Sequence, residues 1–277
     1  MKYEHPLRDY LRVDRMPHIF CQGCGCGQIM NTMLKSVDDL KLDMDKTVFV
    51  GGVGCNSRQV CWVKAYAMHG LHGRAFAWAT GIALSNPELK VIVLTGDGDC
   101  AAIGGNHFIH AARRNIDMTV VVCNNFNYGM TGGQAAPTTA LGMHTTTTPF
   151  GSYENPFELC KLAEAAGATF VSRWSTSNVV QLTRSFKRAI KHKGFSFVEV
   201  LSPCPTNFGR RELKSADPLV NLNYLKEMTV TSKKAAKMSS EQLKGKVVIG
   251  DLYEVEKATY YDTYSKSINA ARETFRK

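Results

Sequence analysis

Asp97 stands in the turn Gly96-Asp97-Gly98-Asp99-Cys100, and Asn124-Asn125 follow one crossover later. The turn ends an apolar run, Val91 to Thr95, and the asparagines end another, Met118 to Cys123. Near-continuous β-branched runs of this kind mark parallel strands covered on both faces. A strand, helix, strand unit puts both loops at the carboxyl edge of one sheet, where ligands of open α/β folds bind. There Asp97 and Asn125 meet as oxygen ligands beside bare glycine amides at a helix N-terminus. That combination suits a hard divalent ion such as Mg²⁺ gripping a diphosphate. A lone Gly-Asp-Gly is a common turn, and the Asn-Asn at the next strand end gives the pattern its specificity.

The cysteines form a second constellation. Cys21 and Cys24 make a C-x-x-C in a glycine-rich loop, while Cys55 and Cys204 each lie in a glycine- or proline-bounded loop at a strand end on the same edge. Four thiolates from three loops satisfy a [4Fe–4S] cluster or a tetrahedral Zn²⁺, and the spacing alone does not choose between them. The chain has nine cysteines, an odd number, and its N-terminus is not a secretory signal, which argues against a disulfide framework. Cys26 is read as a spare thiol, and Cys61, Cys100, Cys123 and Cys160 as small buried hydrophobes.

The phrases GDGDCAAIGGNHFIHAARRNID and NNFNYGMTGGQ resemble the thiamine-diphosphate-binding motif, and specifically the β subunits of the 2-oxoacid:ferredoxin oxidoreductases. The resemblance covers about Pro17 to Arg211. It implies thiamine diphosphate and Mg²⁺, with Asp97, the Asn125 side chain and the Asn127 carbonyl as metal ligands. It further implies that Gly98, Asp99, Gly129 and Met130 lie against the diphosphate. Thr131 and the loop Val53, Gly54, Cys55 and Asn56 complete the cofactor wall. At Cys21, Cys24, Cys55 and Cys204 the family pattern holds a [4Fe–4S] cluster. A one-electron acceptor has a use beside a thiamine cofactor, whereas redox-inert zinc would only brace the loops.

The same resemblance places HGLHGR, His69 to Arg74, near the thiazolium and substrate, making His72 and Arg74 candidates for a role in the reaction. Arg58 is a candidate for the second carboxylate of a dicarboxylic 2-oxoacid, since arginine binds carboxylates bidentately. His69, His107 and His110 have ordinary capping and packing alternatives. The reaction implied is coenzyme A-dependent oxidative decarboxylation of a 2-oxoacid with electrons passed to ferredoxin. This chain offers no identifiable glutamate for the aminopyrimidine ring, so a partner α subunit is expected to supply it. The tail phrase KKAAKMSSEQLKGKVVIG is similar to the 2-oxoglutarate-acting subgroup. Pyruvate and branched-chain 2-oxoacids are the alternatives within the family; outside it stand a non-oxidative thiamine enzyme and a zinc-stabilised binding protein.

Composition sets the frame around these sites. With 44% apolar and 21% charged residues in 277, the chain is ordinary globular material. No run is long and apolar enough for a membrane span, and the cytoplasm is the expected compartment. The net charge of +10 comes from scattered Lys and Arg without a nucleic-acid-binding signature, and it suits an acidic electron carrier. The periodicity predicts a doubly wound, mostly parallel α/β sheet. Its helices are expected to run from the C-x-x-C loop to about Ser36, over Gly73–Ser85, Phe157–Ala166 and Asn178–Lys191. The remaining strands fall in Thr47–Cys55, Thr169–Ser172 and Ser196–Leu201. Ala136 to Phe157 is too long for a passive connector and reads as a lid or interface loop. Residues 1–209 form the expected cofactor domain, and 210–277, with 14 basic against 9 acidic residues, an extension packing on the core or a partner. Within it Leu243 to Tyr253 is core-like, and Tyr264 to Phe275 reads as an amphipathic helix.

Overall fold

A computed structural model describes residues 5–275. In chain order the regular elements begin with α1 (Gly25–Leu40), β1 (Thr47–Gly51), β2 (Tyr66–His69), α2 (Ala75–Ser85), β3 (Lys90–Gly96) and α3 (Asp97–Ala101). There follow α4 (Gly105–Arg113), β4 (Met118–Asn124), a small hairpin of β5 (Asn127–Tyr128) and β6 (Gln134–Ala135), α5 (Leu159–Ala166), β7 (Phe170–Ser175), α6 (Val179–Lys191) and β8 (Phe195–Leu201). The C-terminal segment adds α7 (Pro218–Met228), β9 (Thr229–Thr231), α8 (Ser232–Ala235), β10 (Val247–Glu254) and α9 (Tyr260–Phe275).

Eight strands form one sheet in the order β2-β1-β3-β4-β8-β7-β10-β9. The first six are parallel, and β10 joins β7 antiparallel with β9 beside it. Both faces are covered. Val48, Val50, Val91, Val93, Val120 and Val122 point to the side of α2, α4 and α5, and the alternate residues Phe49, Ile92, Leu94 and Val121 point to α1 and α6. This two-sided burial is why the central strands read as unbroken apolar runs. On the first face Phe108 lies wholly buried, its ring 5.6, 6.2 and 5.1 Å from those of Phe76, Phe195 and Phe197.

Several elements differ from the sequence expectation. The span Thr47–Cys55 is strand as far as Gly51 and glycine loop beyond it, where the chain doubles back: a Cβ on Gly51 would lie 2.6 Å from the Ser57 carbonyl. The Gly-Asp-Gly-Asp turn is already helical from Asp97, and a break at Ala102 separates it from α4. The edge strand β2 has no apolar run to announce it, since three of its four residues are exposed. The C-terminal helix begins at Tyr260, four residues earlier than its apolar pattern suggests. Segment 210–277 contributes β10 to the main sheet, and its Leu225 and Ile249 pack with Phe126, Leu201, Cys204 and Phe208 beyond the carboxyl edge.

Candidate active site

The carboxyl ends of β1, β3 and β4 open onto a cleft of about 110 Å³. Its metal-binding corner starts with Asp97, the first residue of α3 and 3% exposed. Burial pushes the Asp97 carboxyl up to about 7, against a hydrogen bond from Thr138 Oγ1 to Oδ2 at 2.5 Å that lowers it. An anion held away from water without a counter-charge behaves in this way. Across the cleft, Phe126 adopts φ +60°, and Asn125 and Asn127 on either side of it both line the cleft. The side-chain oxygens of both asparagines are buried and accept no hydrogen bond. One carboxylate and two orphaned amide oxygens are a hard-oxygen donor set, which fits Mg²⁺. The free oxygen of Asn127 is on its side chain, while the family resemblance pointed to its main-chain carbonyl.

The walls of the cleft come from three loops. Val53, Gly54, Cys55 and Asn56 follow β1, Gly98 and Asp99 open α3, and Gly129, Met130 and Thr131 follow β5. Gly98 leaves room for a ring: a Cβ there would sit 2.2 Å from Tyr128. Asp99 holds the walls together. Its Oδ1 accepts from Val53 N at 3.1 Å, Gly73 N at 2.7 Å and His72 Nδ1 at 2.5 Å, and its Oδ2 accepts from Thr95 Oγ1 at 2.6 Å. Four donors use its accepting capacity, so Asp99 faces the protein more than a bound phosphate. The carboxylate holds a proton of His72 on Nδ1, so in the neutral ring Nε2 is the nitrogen with a lone pair.

His72 is the one member of the predicted substrate set that lines the cleft. Arg74 does not; its Nη1 donates to the Ile103 carbonyl at 3.3 Å outside it. Arg58 is exposed on the turn after Cys55, where its charge lowers the His69 pKa together with the dominant effect of burial. Sequence reasoning did not single out Tyr128, Cys26 or Cys123 as cleft residues, nor Thr138 as the partner of Asp97. The length of the threonine-rich loop was the only signal for Thr138.

The cysteine corner adjoins this cleft. Gly25 N donates to the Pro203 carbonyl at 3.1 Å, and a Cβ on Gly25 would meet Ser202 Oγ at 2.1 Å, so the C-x-x-C loop packs directly on Ser202–Cys204. Cys204 opens a single π-helical turn closed by Gly209 N to the Cys204 carbonyl at 3.0 Å. Such turns frequently mark functional sites. A Cβ on Gly129 would lie 3.5 Å from Cys204 Sγ, which puts that thiol behind the cofactor loop. Cys55 lines the cleft, and burial first, then the neighbouring thiols of Cys24, Cys123, Cys204 and Cys21, push its thiol up to about 12. Cys26 Sγ lies 3.8 Å from the buried Cys123 Sγ, and its thiol also interacts with that of Cys24, whose pKa it lowers to about 7.

Residues 52–200 match the family model described as thiamine pyrophosphate enzyme, C-terminal TPP binding domain. The chain is 49% identical to 2-oxoglutarate synthase subunit KorB of Methanocaldococcus jannaschii, over 95% of this chain and 97% of that one. It is 44% identical to the 2-oxoacid:ferredoxin oxidoreductase subunit beta of Saccharolobus solfataricus, over 68% of this chain and 62% of that one. The chain belongs to the 2-oxoacid:ferredoxin oxidoreductase β-subunit family. A solved structure of the 2-oxoglutarate:ferredoxin oxidoreductase from Magnetococcus marinus, with 2-oxoglutarate, coenzyme A and succinyl-CoA bound, superimposes with a TM-score of 0.85 at 32% identity, over 96% of this chain and 90% of that one. In this member of the oxidoreductase family the thiamine-binding span contains Asp97, Asn125 and Cys55, and Cys21, Cys24 and Cys204 lie outside it. Among the described residues no helix is long and apolar enough to cross a membrane.

Proposed function

We propose that this chain is the β subunit of a coenzyme A-dependent 2-oxoacid:ferredoxin oxidoreductase, with 2-oxoglutarate as substrate and succinyl-CoA as product. Asp97, Asn125 and Asn127 hold Mg²⁺ and through it thiamine diphosphate. Cys21, Cys24, Cys55 and Cys204 carry a [4Fe–4S] cluster. When bound, the thiazolium supplies the electron sink that lets CO₂ depart, and the cluster accepts the resulting electrons singly for ferredoxin. The observation that carries this reading is geometric: Cys55 lines the cofactor cleft, the C-x-x-C loop packs on Ser202–Cys204, and Cys204 Sγ lies just behind the Gly129 loop of the same cleft.

The spacing of the thiols supports a cluster over a single zinc ion. Zinc at about 2.3 Å from each sulfur needs sulfurs roughly 3.8 Å apart. Among the described residues the only trio of potential ligand atoms mutually within 4.8 Å is Glu158, Cys160 and Glu199, so no three of the four cysteines are that close.

The chain's own groups have distinct tasks. Gly98 and Gly129 keep backbone open to the diphosphate, and Val53, Asn56, Met130 and Thr131 enclose it. His72, its Nδ1 proton held by Asp99, presents Nε2 to take up or return a proton at the substrate end. The carboxylates lining the cleft are Asp97 and Asp99, and both are engaged. That supports a partner α subunit as the source of the aminopyrimidine glutamate. Residues 1–209 are the cofactor domain, and 210–277 an extension packed on it; free thiols and a cluster suit the reducing cytoplasm.

The test is anaerobic purification of this chain with its α partner, followed by viologen reduction with coenzyme A and a panel of 2-oxoacids. Reduction fastest with 2-oxoglutarate is expected. Preference for pyruvate or a branched acid would overturn the substrate and keep the reaction class.

A further inference from the structure

Glu199 is a buried carboxylate with no part in the chemistry above. It lies on β8, 2% exposed, and its two oxygens face different partners. Oε1 accepts from Asn124 Nδ2 at 2.7 Å, and Oε2 accepts from Arg173 Nε at 2.6 Å and from Cys160 Sγ at 3.2 Å. Arg173, 7% exposed, also pairs with Glu158 and donates from Nη1 to the Val248 carbonyl of β10 at 3.3 Å. Glu158, Cys160 and Glu199 meet closely enough to suggest a cation site, but the Arg173 guanidinium already supplies the positive charge there.

The other end of Asn124 reaches the cofactor corner. Its Oδ1 accepts the Phe126 amide at 3.1 Å, and Thr139 Oγ1 donates to the Phe126 carbonyl at 2.7 Å. Phe126 is a bulky residue in the left-handed region, a conformation that persists only when its surroundings hold it. Asn125 and Asn127 flank it.

We propose that Glu199 is a positioning residue for the divalent-cation site. Acting through Asn124, it holds the Phe126 turn in the shape that presents Asn125 and Asn127 beside Asp97, and Arg173 anchors it to the C-terminal strand. The proposal rests on reading those three residues as the Mg²⁺ site. Its physical content is the order of donors and acceptors. Only with the amide nitrogen toward Glu199 does the Asn124 oxygen face Phe126 N–H. Glu199→Gln breaks that order. If the new amide oxygen keeps Arg173, its nitrogen confronts the Asn124 nitrogen; if Asn124 flips to compensate, the Phe126 amide loses its acceptor.

The test titrates Mg²⁺ against thiamine diphosphate binding in the intact complex with its α partner, stripped of cofactor, with thermal unfolding followed alongside. Glu199→Gln should raise the Mg²⁺ concentration for half-maximal binding roughly tenfold, the scale of one lost hydrogen bond to a charged group. Asn124→Asp alone should weaken binding similarly, by facing two carboxylates. The double variant Asn124→Asp/Glu199→Gln restores the order, with the carboxylate now accepting from both Phe126 N and the Gln amide, and should return to within about threefold of wild type. A role in stability alone would not be rescued by this exchange. If Glu199→Gln does not fold, Asn124→Ala, which leaves Glu199 paired with Arg173, should show the same rise. Wild-type Mg²⁺ dependence in Glu199→Gln or Asn124→Ala, or a double variant no better than the singles, would overturn the proposal. Asp97→Ala serves as the control: if it binds normally, the metal reading itself fails, whatever the Glu199 variants do.

Discussion

Asn127 Nδ2 donates to the main-chain carbonyl of Asn125 at 2.6 Å, a bond that spans the Phe126 turn. It commits the Asn127 amide nitrogen and turns its oxygen the other way. That oxygen and Asn125 Oδ1 are left buried without donors. Uncompensated polar atoms of this kind are costly. On the proposed reading, a divalent cation beside Asp97 would satisfy both.

Asp97→Ala should therefore abolish Mg²⁺-dependent thiamine diphosphate binding and leave the visible spectrum of the iron–sulfur cluster intact. Asn125→Ala should weaken binding by roughly ten- to a hundredfold, the scale of a lost interaction with a charged centre. Calorimetric titration of the complex with cofactor and Mg²⁺ measures both.

The raised carboxyl of Asp97 sets a pH dependence. Its pKa in the fold, about 7, lies above the ordinary value of 3.8. The sign is the reverse of the usual aspartate case: in the cofactor-free protein its contribution to stability is fully present below the ordinary carboxylate range. That contribution is lost as pH rises through about 7. Metal binding selects the ionised form, so affinity for Mg²⁺ and thiamine diphosphate should increase from pH 6 to pH 8 and release up to about one proton per site. Titrations in buffers of different ionisation enthalpy count that proton.

Cys24 and Cys26 lie two residues apart but should behave differently. Cys24→Ser should remove most of the cluster's visible absorption and iron, as should Cys21→Ser and Cys204→Ser. Cys26→Ser should retain the iron, because Cys26 is not one of the four proposed ligands and its buried thiol packs on Cys123. Iron content and anaerobic spectra of the purified complexes distinguish them.

Away from the cleft, Phe108→Ala should cost about 3–5 kcal/mol through the cavity left among its aromatic neighbours. Thermal unfolding of the cofactor-free complex measures that loss. Mg²⁺ dependence of cofactor binding should be unchanged at a temperature where the variant is folded.

The central strands and the two loops that line the cleft were legible because their signals are local. The runs ending at Thr95 and Cys123 need both faces covered, and Gly-Asp-Gly with Asn-Asn falls where those strands end. What stayed hidden depends on distant parts of the chain. Thr138 reaches Asp97 from a long loop, and Cys123, an ordinary strand residue by type, becomes part of the cleft because it lies at the carboxyl end of β4. Strand β2 is short and exposed at the sheet edge, so burial leaves no pattern in it. Strand β10 was visible only as a core-like stretch, since its place beside β7 is fixed by tertiary pairing. Arg58 and Arg74 were drawn toward the substrate by their neighbours in sequence, and the backbone turns both of them out of the cleft.

The most direct measurement is the anaerobic visible spectrum of the oxidised complex with its α partner, loaded with thiamine diphosphate and Mg²⁺, before and after adding 2-oxoglutarate and coenzyme A. Bleaching of the cluster absorption, lost in the Asp97→Ala complex, is the predicted result. A complex that contains both cofactors and shows no bleaching with any 2-oxoacid would contradict the account.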